Sequence, residues 1–105
     1  MSDIKQWLLD KAGSVVSGAR RKAYGTPENN FARIALFWDA YFVNCGVTLL
    51  KNGQPYTLQA SDVSPLMRLM KEARLCETPD HTDSFTDLIG YTLTGAEVNK
   101  AEPIE

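Results

Sequence analysis

Thr26-Pro27-Glu28-Asn29-Asn30-Phe31-Ala32-Arg33-Ile34-Ala35-Leu36-Phe37-Trp38-Asp39-Ala40-Tyr41-Phe42 decides the fold of this chain. Threonine before proline reads as an N-cap and a first helical residue. The hydroxyl accepts from an amide that the helix leaves unpaired, and proline's missing N–H costs nothing at that position. Phe31, Ile34, Ala35, Trp38, Tyr41 and Phe42 then recur at helical spacing, so this helix is the main aromatic contribution to a core.

Working outward toward the N-terminus, Ser2 or Asp3 caps an earlier helix with Ile4, Leu8, Ala12, Val15 and Ala19 on one stripe. Gly13 and Gly18 weaken it, and Ser17 to Tyr24 is expected to fray into a basic connection. Toward the C-terminus the period changes. Val47 to Lys51, Asn52-Gly53, and Gln54 to Leu58 form a hairpin signal, because Asn-Gly accepts the positive φ of a tight turn. Ser61 or Asp62 then caps a third helix to about Cys76, with Val63, Leu66, Met70 and Ala73 inward and Pro65 in its first turn. Thr78-Pro79 breaks the chain, and Thr82 caps a fourth helix reaching Glu97 to Asn99.

The expected fold is therefore mainly α, a compact bundle of about four helices with a small β-hairpin insertion between the second and third. Residues 1–99 form one helical domain, the hairpin insertion covers about 44–59, and 100–105 is a flexible tail. Short amphipathic helices around a small core favour self-association, so a homo-oligomer is expected.

The chain has 105 residues, 44% hydrophobic and 23% charged, with a net charge of -2. That balance argues against a broad grip on duplex nucleic acid. No apolar stretch approaches the ~20 residues that span a bilayer, so no membrane partner is expected. Two isolated cysteines, Cys45 and Cys76, suit a reducing compartment, and the N-terminus lacks a secretion-signal pattern. A cytoplasmic location follows.

Two polar segments carry the chemistry. Arg20-Arg21-Lys22-Ala23-Tyr24-Gly25 precedes the aromatic helix, and Lys71-x-x-Arg74 is followed by His81-x-Asp83-x-x-x-Asp87 and Gly90-Tyr91. Basic side chains bind phosphate, carboxylates bind cations or ribose hydroxyls, and tyrosines stack on bases. Together they imply a nucleotide ligand. The candidate ligand-binding residues are Arg20, Tyr24, Asn30, Arg33, Lys71, Arg74, Asp83, Asp87 and Tyr91.

Each has a plainer reading. The Arg20–Lys22 run can be solvated, Asn30 and Arg33 can be surface residues, and Asp83 can serve the helix dipole. Asp87 stands a turn further in, on a stripe with Gly90 and Thr94 opposite Phe85, Leu88, Ile89, Thr92, Leu93 and Ala96. Its expected partner is Arg74, in an interhelical salt bridge that competes with a phosphate site. His81 suits a loop hydrogen bond better than a metal. No Gly-rich phosphate loop, zinc spacing or nucleophile elbow is present, so no catalytic residue, metal ligand or cofactor is expected.

Arg20-x-x-x-Tyr24-Gly25-x-Pro27-x-x-Asn30-Phe31-x-Arg33-Ile34-Ala35-x-x-Trp38 resembles the opening motif of a small helical domain of phages and prophages. Asp62-Val63-x-x-Leu66-Met67-x-x-Met70-Lys71-x-x-Arg74 and His81-x-Asp83-Ser84-x-x-Asp87-x-x-Gly90-Tyr91 match its second half. The acidic helix ending in Gly-Tyr is more distantly similar to all-α nucleotide pyrophosphatases related to MazG and dimeric dUTPases. That resemblance implies magnesium-dependent hydrolysis of nucleoside triphosphates through two carboxylate pairs. Here Lys71 and Arg74 stand where the first pair belongs, while Asp83 and Asp87 are four apart rather than three. The leading expectation is thus a phage-type protein that sequesters a phosphorylated nucleotide, a host-defence signal being one such ligand. The alternatives are a magnesium-dependent pyrophosphatase and a structural or interaction module.

Overall fold

The computed structural model describes residues 3–104, apart from the side chains of Ala19 and Arg20. Among the described residues there are five helices, not four: α1 (Ile4–Val15), α2 (Ala19–Tyr24), α3 (Pro27–Asn44), α4 (Ala60–Glu77) and α5 (Thr82–Val98). Strands β1 (Leu50–Lys51) and β2 (Gln54–Pro55) form an antiparallel hairpin between α3 and α4, with Leu50 opposite Pro55 and Lys51 opposite Gln54. The additional helix is the basic segment expected to fray. Gly18 and Gly25, at φ 57° and 79°, let the chain turn at either end of a six-residue helix.

Local signals set the ends of the helices. Asp3 caps α1 by accepting from the Lys5 amide at 3.0 Å, and Thr26 caps α3 by accepting from Asn29. α4 begins earlier than Ser61 or Asp62 would place it. Gln59 is its N-cap, and Asp62 reaches back to the Gln59 amide at 2.8 Å in a capping box. Pro65 accordingly falls inside the helix and not in its first turn. α5 is capped by His81 and not by Thr82. The imidazole Nδ1 accepts from the Ser84 amide at 3.3 Å, which is the hydrogen bond that this histidine was expected to make. Beyond α5, Lys100 at φ 56° and the Ala101 amide donating to the Ala96 carbonyl close the helix in a Schellman turn.

α5 is the central helix, packed on α4, α1 and α3, while α3 packs on α4. The core is Phe31, Ala35 and Val63, flanked by half-buried residues that include Trp38, Leu58, Met67 and Tyr91. Two stripes are rotated from expectation. On α4, Val63 and Ser64 are buried whereas Leu66 and Met70 are 44% and 45% exposed. On α5 the buried residues are Ser84, Thr86, Gly90 and Gly95, with Phe85 and Leu93 turned outward. The small face wins because it permits close approach of helices. A methyl at Gly95 would lie 2.5 Å from Ser64 Oγ, and one at Gly90 would lie 3.4 Å from Val16.

The hairpin insertion is tied to the helices at its base. The Leu58 amide donates to Asp39 on α3 at 3.0 Å, and the Tyr56 hydroxyl donates to Asp62 on α4 at 2.6 Å. Lys51 lies over the Tyr56 ring at 5.0 Å. The hydrogen bond to Asp62, then desolvation, then the nearby negative charges of Asp62 and Asp39 raise the Tyr56 phenol above its usual range.

Candidate functional site

A cavity of about 230 Å³ opens where α1, α2, α3 and α5 meet. α2 and its closing turn contribute Arg21, Tyr24 and Gly25. The first turns of α3 contribute Pro27, Asn30 and Phe31. α5 lines the opposite wall with Thr86, Asp87, Gly90, Tyr91 and Thr94, and Val15 and Val16 at the end of α1 close the apolar side. The geometry follows from sequence. Gly25 at φ 79° reverses the chain, so Pro27 can start α3 with its N-terminal turn at the cavity. The positions 87, 90, 91 and 94 share one side of α5 by helical spacing.

Charge in the site is locally matched. Asp87 Oδ2 lies 3.0 Å from Lys71 Nζ, whose side chain is only 12% exposed against 40% for the carboxylate. Lys71, one turn before Arg74, is therefore the partner that crosses from α4, and the expected Arg74–Asp87 pair is not formed. Arg21 pairs with Glu97 on the last turn of α5 at 2.6 Å, with both side chains substantially exposed. Tyr91 packs on Phe31 with ring centroids 6.5 Å apart. Its carbonyl accepts from the buried Ser64 hydroxyl at 2.6 Å, and Thr94 and Thr86 donate their hydroxyls to carbonyls of their own helix at 3.0 and 3.3 Å.

The structure gathers Tyr24, Asn30, Asp87 and Tyr91 around one cavity and places Lys71 behind it through Asp87. Arg33, Arg74 and Asp83 are exposed and line no part of it. The side chain of Arg20 lies outside the described residues, and its neighbour Arg21 is the basic residue of the cavity wall. The site residues read from the sequence did not include Arg21, Thr86 or Thr94. Thr94, seven residues after Asp87, already stood on the same stripe of α5, and within the basic run the expected residue was Arg20 and not Arg21. Among the described residues, no group of three or more His, Cys, Asp or Glu side chains lies together in a way that suits a metal ion. Likewise no described helix is long and apolar enough to cross a membrane.

The fold is mainly helical, and motifs from the two halves of the chain converge on one small cavity. The chain belongs to the family described as a domain of unknown function (DUF6378), which it matches over residues 7–99. It is similar to the Gene 55 protein of Mycobacterium phage D29, 36% identical over 98 residues, covering 93% of this chain and 56% of that protein. It is also similar to the Gene 55 protein of Mycobacterium phage L5, 34% identical over 84 residues, covering 80% of this chain and 47% of that protein. The chain thus spans about half the length of these relatives. No solved structure matches it.

Proposed function

We propose that this protein binds a phosphorylated nucleotide in the cavity between α1, α2, α3 and α5 and holds it without chemistry, in the cytoplasm of an infected cell. The observation that carries this reading is the meeting of the Arg-Arg-Lys-x-Tyr-Gly segment and the Asp-x-x-Gly-Tyr segment on the walls of one cavity. Arg21 supplies a guanidinium for phosphate, reinforced by the N-terminal turn of α3. Tyr24 offers a ring against which a base can stack, while Asn30 and Asp87 offer the acceptors and donors that read hydroxyls or base edges. A volume of about 230 Å³ falls below the ~300–1,000 Å³ of pockets for larger ligands, so it suits one nucleoside-sized group. Sequestration of a host-defence signal is a role that a phage protein of this kind would fill.

Magnesium-dependent hydrolysis of the MazG and dimeric dUTPase type demands clustered carboxylates. Among the described residues the cavity wall holds one carboxylate, Asp87, and a lysine already engages it. The residues present do not fit a two-cation centre. A structural or interaction module remains the reading to adopt if no nucleotide binds.

A thermal-shift screen of linear and cyclic nucleotides, with and without magnesium, tests the proposal, because a ligand of the native state raises the midpoint. At least one nucleotide should do so equally in both conditions. Arg21→Ala should then weaken binding severalfold, because this exposed guanidinium exchanges its bond to Glu97 for one to the ligand. A screen in which no nucleotide moves the midpoint overturns the reading. So does magnesium-dependent release of pyrophosphate that Asp87→Asn abolishes.

A further inference from the structure

The buried hydrophobic core is very small. Among the described residues only Ala12, Phe31, Ala35 and Val63 are buried hydrophobic side chains. The chain exposes 7744 Å², whereas a compact monomer of 11.7 kDa exposes about 5,900 Å². The surplus is roughly 1,800 Å². Its radius of gyration, 15.8 Å, likewise exceeds the ~13 Å of a compact domain of this length.

Part of the exposed surface is an apolar groove. Trp38, Tyr41 and Phe42 of α3, Leu49 and Leu58 of the hairpin arms, and Leu66 of α4 line a groove of about 430 Å³ with almost no polar surface. Phe37, one turn before Tyr41, is 68% exposed, and Leu69, one turn after Leu66, is 64% exposed. The groove therefore stands beside projecting apolar side chains of the size that fill such a groove.

We propose that a second copy of this chain covers this face, the α3 and α4 ridges of each protomer seating in the groove of the other about a two-fold axis. A two-fold interface uses the same patch on both partners, so it needs a groove and matching ridges on one face. The area agrees. Two chains that each hid the whole surplus of roughly 1,800 Å² would bury about 3,600 Å² together, and half of that would still approach the ~2,000–5,000 Å² of obligate homodimers. The residue types agree too, since among the described residues the groove is lined by aromatic and aliphatic side chains and by no charged one. A partner that comes and goes would leave this surface in water for much of the protein's life, which a core this small tolerates poorly. This inference does not depend on nucleotide binding.

Sedimentation equilibrium at tens of micromolar should give about twice the chain mass of 11.7 kDa. Tyr41→Glu and Leu69→Glu alter side chains that are 66% and 64% exposed in the protomer. Both should keep the helical far-ultraviolet signal and sediment as monomers. Leu9→Glu on α1, remote from the groove, should remain dimeric. If both groove-side variants fail to fold, Trp38 is read instead in a Trp7→Phe chain, where it is the sole tryptophan. Dilution that halves the mass should then move its emission to the red. A wild type that is monomeric at 100 µM overturns the proposal in favour of another occupant, such as a further segment of a longer chain. So do folded glutamate variants that stay dimeric, or dissociation that leaves Trp38 emission unchanged.

Discussion

Gly95 and Ser64 set how closely the two longest-packed helices approach. A Cβ at Gly95 would come within 2.8 Å of Ser64 Cβ, a distance that real side chains do not tolerate. Gly95→Ala should therefore destabilise by about 1–3 kcal/mol in urea unfolding, the usual cost of overpacking, despite alanine's better helix propensity. Adding Ser64→Gly should recover part of that loss, and strict additivity of the two changes would show that the helices do not meet there. Lys71 and Asp87 are the other residue-scale constraint. A lysine 12% exposed paired with a carboxylate 40% exposed lies between a surface pair and a buried one. A double-mutant cycle with Lys71→Met and Asp87→Asn should give a coupling of about 1 kcal/mol. Coupling of Asp87 to Arg74→Met in place of Lys71→Met would reverse the assignment.

At the scale of elements, the α3 helix and the Asn-Gly hairpin were legible in the sequence because each rests on nearby residues. Thr26-Pro27 fixes one end of α3, and Asn52 and Gly53 take the positive φ values, 53° and 78°, that the turn needs. Capping was less legible. Ser61, Asp62 and Thr82 are good caps by type, but Gln59 and His81 won because of side-chain hydrogen bonds that span three residues. The burial of α5 was least legible, since apolar periodicity favours Phe85 and Leu93 as the core face. What decides it is the close fit of Gly90 and Gly95 against other helices, which depends on partners distant in sequence. In the candidate site the aspartate and tyrosine of α5 could be read from their stripe. That Arg21 lines the cavity, and that Lys71 and not Arg74 meets Asp87, depended on a helix and a rotation that periodicity did not fix.

The hairpin arms also hold the clearest titration. Tyr56 is held neutral by its bond to Asp62, so its folded pKa lies above 10.0, the ordinary value that it takes when unfolded. Its contribution to stability is complete below pH 10 and is lost as pH rises through the folded pKa, because the unfolded phenol gives up its proton first. Urea midpoints measured from pH 9 upward should fall more steeply for the wild type than for Tyr56→Phe. Parallel curves would mean that the Tyr56–Asp62 bond contributes nothing in solution. The same arm carries Leu58 into the flank of the core, so the segment 44–59 is peripheral at its Asn52-Gly53 tip and not at its base.

For the whole molecule, the proposed dimer would let a chain with so little buried hydrocarbon draw stability from association. The melting midpoint should then rise with protein concentration, by mass action, over a range from about 1 to 100 µM. A midpoint independent of concentration would describe a chain that is stable alone. The relatives in mycobacteriophages D29 and L5 are roughly twice as long, so the family fold is compatible with additional sequence around the same helical unit.

The Arg21–Glu97 pair has a thermodynamic consequence. It joins α2, whose Arg21 lines the cavity, to the last turn of α5, and its carboxylate engages the guanidinium that a bound phosphate would use. Glu97 is thus a tethered competitor, present at an effective concentration fixed by the fold and independent of dilution. A phosphorylated ligand, if bound as proposed, would exchange one anion for another on Arg21, so the net gain would be only the difference between them. Glu97→Gln should tighten binding of any nucleotide identified by the thermal-shift screen, by a factor of a few given the pair's exposure. It should also steepen the loss of affinity with added salt, because the ligand would then neutralise a charge that the protein had left open. A weaker nucleotide affinity in Glu97→Gln would instead make the carboxylate part of the ligand's own contact set.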